Sequence, residues 1–204
     1  MTVSVSKRMA AVSRLGRRFH RAKDGATAVE FGLIALPFFM MLFGILGVCQ
    51  LFFWTFTAEN AVWNASRDMR TGAFQTGSSS VYAPYYTNGT VTNPSGLINA
   101  FRNSICSGTV TPSDCNANSV VLVQSNANSS SITTPSCVDS NNSLLTTSNP
   151  LYAFSAGGAN SVVIVTLCYN WAYGAKLLFL PVPKLNGGGY LIQASAAFRT
   201  EPYQ

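Results

Sequence analysis

The sequence predicts an α+β protein in which one long N-terminal helix crosses a membrane and then packs on a small antiparallel β-sheet domain. Three observations carry that prediction. Residues 31–54, FGLIALPFFMMLFGILGVCQLFFW, contain no charge. Ala58, Val62, Ala65 and Met69 then recur at helical spacing, as an amphipathic stripe does. Further on, Ser119–Gln124, Ser161–Tyr169 and Tyr190–Arg199 read as strands, the first two from their β-branched runs and the last from partial alternation.

The uncharged run is 24 residues long, about 36 Å as a helix, and roughly 20 apolar residues suffice to cross a bilayer. Before it, Lys7, Arg8, Arg14, Arg17, Arg18, Arg21 and Lys23 face Asp24 alone. The net charge of +6 therefore belongs to this tail, because the remaining six basic and six acidic side chains cancel. The positive-inside rule assigns residues 1–25 to a cytoplasmic leader, 26–55 to the span and everything beyond to the far side. Trp54, Phe52, Phe53 and Phe56 stand where an interfacial aromatic belt belongs. A cleaved signal peptide would have a shorter apolar core and a small-residue cleavage site, and Phe56-Thr57-Ala58 is a poor one. A nucleic-acid partner would need a basic face on a folded module, which this charge distribution excludes.

Inside the span, Pro37 removes a backbone donor and predicts a bend. Residues 56–72 extend the helix beyond the membrane, with Glu59, Asn60, Asn64, Arg67 and Asp68 on the faces away from the stripe and Gly72 as its stop. Residues 73–204 then form the exported domain. Its first part, to about Pro94, has a loop composition. Pro94–Cys106 predicts a short amphipathic helix through Leu97, Ile98, Phe101 and Ile105. Residues 125–150 read as a long Asn/Ser/Thr-rich loop tied by Cys137, and the Gly187-Gly188-Gly189 turn precedes the last strand.

Cys49 lies in the span, where a thiol behaves as a small hydrophobe. Cys106, Cys115, Cys137 and Cys168 lie on the exported side, and in an oxidising compartment they predict two disulfides with three possible connectivities. A zinc site is disfavoured, because there is no C-x-x-C pair and the only histidine, His20, is in the leader. The same inventory argues against an enzyme and predicts no cofactor. The exported domain lacks histidine, its acids Asp114, Asp139 and Glu201 stand singly, and neither Gly157-Gly158 nor the triple glycine opens a helix after a strand.

Gly25 and Glu30 are the remaining signal. A carboxylate is unfavourable by about 2.5 kcal/mol or more near the bilayer centre, yet Glu30 stands just before the uncharged run, five residues after Gly25 and next to Phe31. A basic leader, a Gly, and then Glu-Phe at the start of a span resemble the processing site of type IV prepilins. The segment GATAVEF looks most like the Flp pilin and TadE/TadF-like pseudopilin group. Pro37 lies near the position of that family's proline, ENAVWNASRDMRTG resembles its segment after the span, and ASAAFRTEPY is similar to its ending. The likeness covers residues 17–72 and about 190–203. It implies a pilin-like fold and cleavage between Gly25 and Ala26 by an inner-membrane prepilin peptidase. It also implies a bacterial inner-membrane protein with a cytoplasmic N-terminus and a periplasmic domain, serving a tight-adherence pilus. Partners on this reading are the peptidase, other pilins or pseudopilins, and the lipid bilayer. The rival expectation is an unprocessed anchor presenting a periplasmic module that binds a glycan or an envelope protein.

Overall fold

The computed structural model describes residues 24–127, 132–148, 152, 154–176 and 184–203; the leader expected over residues 1–23 lies outside them. The chain divides into two compact units, Met1–Leu46 and Gly47–Gln204.

Helix α1, Asp24–Arg70, includes Pro37 and contributes to both units. In the first unit the apolar side chains stand open, among them Val29, Phe31, Leu33, Ile34 and Met41. Only 6% of the most apolar 18-residue window of this helix is buried. A helix apolar on every side belongs either in a core or in a membrane, and so little burial leaves the membrane. It is the one helix among the described residues long and apolar enough to cross a bilayer.

In the second unit the surroundings change and the expected stripe is buried. Ala58, Val62, Ala65 and Met69 are at most 5% exposed, joined by Ala61, while Glu59, Asn60, Asn64 and Arg67 remain exposed. The helix ends through Gly72, whose positive φ of 83° lets the chain reverse as only glycine does readily. Thr71 N–H donates to the Arg67 carbonyl, satisfying one of the last orphan acceptors.

The stripe covers one face of a three-stranded antiparallel sheet of order β3-β4-β5, formed by Ser119–Asn126, Val162–Trp171 and Tyr190–Arg199. In β4, Val163, Val165, Leu167, Tyr169 and Trp171 alternate toward this core, as do Tyr190, Ile192, Ala194 and Ala196 of β5. Helix α3, Pro94–Ser107, adds Leu97, Ala100, Phe101 and Ile105. Phe74, Tyr82, Phe101 and Phe154 form a ring cluster, with centroids 5.0 Å apart for Phe74–Tyr82 and 5.3 Å for Phe74–Phe101. Such pairs add about 0.5–1.5 kcal/mol beyond burial.

The opposite face has its own smaller core of Val120, Leu122, Cys137, Leu145 and Cys168. The continuous Val120–Val123 run in β3 follows from burial on both faces. Two disulfides, Cys106–Cys115 and Cys137–Cys168, resolve the connectivity. The second fastens the described part of the 125–150 loop onto the sheet. Residues 128–131 and 149–150 of that loop lie outside the described set.

The region from Thr71 to Pro94, expected as loop, contains short elements: α2 (Ala73–Thr76), a 3-10 turn and a two-stranded ribbon of β1 (Tyr86–Thr87) and β2 (Thr90–Val91). Its turn is Asn88-Gly89 with φ of 51° and 77°, the dipeptide that suits a hairpin needing two positive φ values. A further helix, α4 (Pro112–Asn118), precedes β3. Tyr169 donates its hydroxyl to the Asp114 carboxylate of α4, and burial together with that bond raises the phenol's pKa. Burial, with Asp68 adding to it, does the same for Tyr82.

Candidate functional site

The residues singled out for processing and assembly lie in the first two turns of α1. Gly25 is the second helical residue, and a methyl group added there would meet nothing within 4 Å. Glu30 is exposed, and Phe31 is 70% exposed. Ala26 and Glu30 are four residues apart in one helix, about 6 Å along its axis. An amine freed at Ala26 would stand at the new helix N-terminus, about one turn before the Glu30 carboxylate. Pro37 follows two turns later, inside the helix.

At the other end of α1 lies a second polar arrangement. Arg70 Nε is 3.2 Å from Glu201 Oε1, and Glu201 N–H donates to the Arg70 carbonyl at 2.8 Å. The exposed ion pair contributes little by itself. The backbone bond satisfies a carbonyl that the helix end leaves open. Tyr203 packs over Gly72 so closely that a Cβ there would lie 2.4 Å from the ring. The segment ending α1 and the segment after β5, far apart in sequence, therefore meet. Beside them runs an open cleft of about 570 Å³ lined by Trp63, Ser66, Arg67, Arg70, Phe198 and Glu201. Ser66 is 1% exposed, and its hydroxyl has no hydrogen-bond partner among the described residues. Sequence reading missed this cleft, because a contact between Arg70 and Glu201 leaves no local pattern. Among the described residues no three His, Cys, Asp or Glu side chains gather as metal ligands.

The fold and the helix define a class: an α+β domain on a single helix able to cross a membrane. Within that class, residues 25–67 match the model of the family described as TadE-like protein. The match begins at Gly25, takes in Glu30, Pro37 and most of the buried stripe, and stops before the end of α1. The likeness noted at residues 17–24, 68–72 and about 190–203 lies outside it, as does the whole sheet domain. No curated protein and no solved structure is matched.

Proposed function

We propose that this chain is a TadE-like minor pseudopilin, a single-span protein of the bacterial inner membrane that serves assembly of a tight-adherence pilus and is not an enzyme. Its leader is cytoplasmic and its disulfide-tied domain periplasmic. A prepilin peptidase cuts between Gly25 and Ala26, and the mature helix then packs against those of other pilins or pseudopilins as a minor or priming subunit. A domain this large is hard to seat at every position of a thin filament, which favours a minor role.

The observation that carries the reading is the placement of Glu30, one helical turn beyond Ala26 at the entrance to an uncharged run. Cleavage creates a positive amine on Ala26. When two such helices lie side by side, the Glu30 carboxylate of one pairs with the amine of its neighbour. Each charge is unfavourable alone in a low dielectric, and each becomes tolerable when paired. The pairing also favours one axial register over its alternatives. Before cleavage the amine is missing, so assembly waits for the peptidase.

Two variants separate the steps. Gly25→Leu blocks processing, so the product keeps its leader on a gel. Glu30→Ala is cleaved normally but abolishes or strongly reduces pilus production. Normal piliation with Glu30→Ala removes the pairing role, and normal cleavage of Gly25→Leu removes the processing site.

A further inference from the structure

The end of the sheet where β4 finishes and β5 begins lies beside Trp54, the last residue of the uncharged run. The Trp54 ring is 5.5 Å from Trp171 and 6.3 Å from Tyr169, centroid to centroid. The strand directions agree with this placement. Val162, at the start of β4, pairs with Arg199 of β5, two residues before the Glu201 that caps the far end of α1. From there β4 descends along the helix until Trp171, paired with Tyr190, comes level with Trp54. The same end of the sheet carries Tyr173, which is 56% exposed. It also carries Lys184, which bridges to Tyr190 and holds its ammonium 5.9 Å from that ring. On α1, within one turn of Trp54, Phe52, Phe53 and Phe56 are 71%, 56% and 64% exposed.

Aromatic rings and lysines at one level are what a membrane–water boundary selects: rings for the headgroup layer and cationic stems that reach the phosphates. The placement of lysine points the same way. After residue 23 the chain has two lysines: Lys176 ends the 3-10 segment Ala172–Lys176 that follows Trp171, and Lys184 bridges to Tyr190. Two acids stand near this end: Asp114 is engaged by Tyr169 and Asn118, and Asp139 accepts from the Asn141 and Ser143 N–H groups in the turn whose Asn142 donates to the Lys184 carbonyl.

We propose that the sheet end bearing Trp171, Tyr173 and Lys184 rests on the headgroup layer around the exit of α1, with anionic phospholipid as its partner. The proposal depends on α1 crossing a bilayer. The contact holds the domain against the membrane by a second attachment besides the helix and limits the directions in which its exposed surfaces face.

The test uses the full chain with Cys49→Ser, in lipid nanodiscs containing either phosphatidylglycerol or phosphatidylcholine alone. A fluorophore is attached at Tyr173→Cys, at Gly158→Cys near the opposite end of the sheet, or at Met41→Cys within the span. Lipids carrying quenchers at the headgroup or deep in the acyl chains report position. With phosphatidylglycerol, headgroup quenching is strong at 173 and weak at 158. Lys184→Glu moves the contact equilibrium at least roughly fivefold toward the released state, since one basic side chain near an anionic surface is worth about 1 kcal/mol. Weak quenching at 173 with deep quenching at 41 overturns the proposal while the span stands. Equal headgroup quenching at 173 in both lipids, or no effect of Lys184→Glu, overturns the anionic partner. Absence of deep quenching at 41 removes the span, and the proposal with it.

Discussion

Between Val29 and Leu46 the long helix presents apolar side chains on every side, whereas between Ala58 and Met69 it buries one stripe and leaves the other faces polar. Both stretches belong to one helix with the same backbone geometry. What differs is what the side chains meet. In the first stretch every direction meets the same apolar surroundings, so position around the axis carries no information and only composition matters. In the second, a sheet lies on one side and water on the others, so position around the axis selects the chemistry, with exposed Trp63 and buried Ser66 as the exceptions at the cleft. Cost should therefore depend on which region a substitution hits, and in a different assay for each.

The sharpest contrast is a carboxylate placed in each region. Val62, fully buried against the sheet, becomes a buried unpaired charge in Val62→Asp. The domain should lose about 3–5 kcal/mol of stability in denaturant titrations of the full chain in micelles, while membrane insertion is unchanged. Met41→Asp, at a position 70% exposed in the span, should reverse the pattern, shifting insertion by about 3 kcal/mol and leaving domain unfolding where it was. If either variant moves both readouts equally, the division between the regions is wrong.

A smaller effect sharpens the contrast within the domain. Replacing Cys137 and Cys168 together by alanine removes the tie between the loop and the second face of the sheet. About 2–4 kcal/mol of stability should be lost on unfolding. Limited proteolysis should cut first in the 132–148 stretch, with α1 and the first face still protected.

The smallest effect is alkaline. Tyr82 and Tyr169 have phenols raised above their ordinary pKa of 10.0, so the folded state holds their protons more tightly than the unfolded one. Their contribution is complete below pH 10 and is lost as pH rises through the folded-state values. Stability should fall with pH above about 10, and Tyr82→Phe should flatten that fall.

Much of this architecture was legible because it is periodic or compositional. The last strand occupies Tyr190–Arg199 as read, the buried stripe is the expected one, and α1 ends at Arg70, two residues before the Gly72 expected to stop it. The short elements were harder. Helix α4 has seven residues, and its local marks are confined to its start, Pro112 at the first position after Thr111 and Asp114 in the first turn. The Asn88-Gly89 turn was visible as a dipeptide, but strands of two residues offer no alternation to support it. The cover over Val120 and Leu122 could not be read, because it is held there by a disulfide whose partners sequence alone leaves open. For the candidate site, Gly25 and Glu30 stood out because charge and glycine are conspicuous beside an apolar run. The cleft at Arg70 and Glu201 did not, since its residues come from opposite ends of the domain.

The central claim is that Gly25 ends a leader whose removal exposes the amine that Glu30 awaits. Intact mass of the protein extracted from its native membrane, measured with and without reduction, tests it directly. The account predicts a chain starting at Ala26 with two disulfides. A chain retaining Met1 contradicts it and leaves an unprocessed membrane-anchored module in its place.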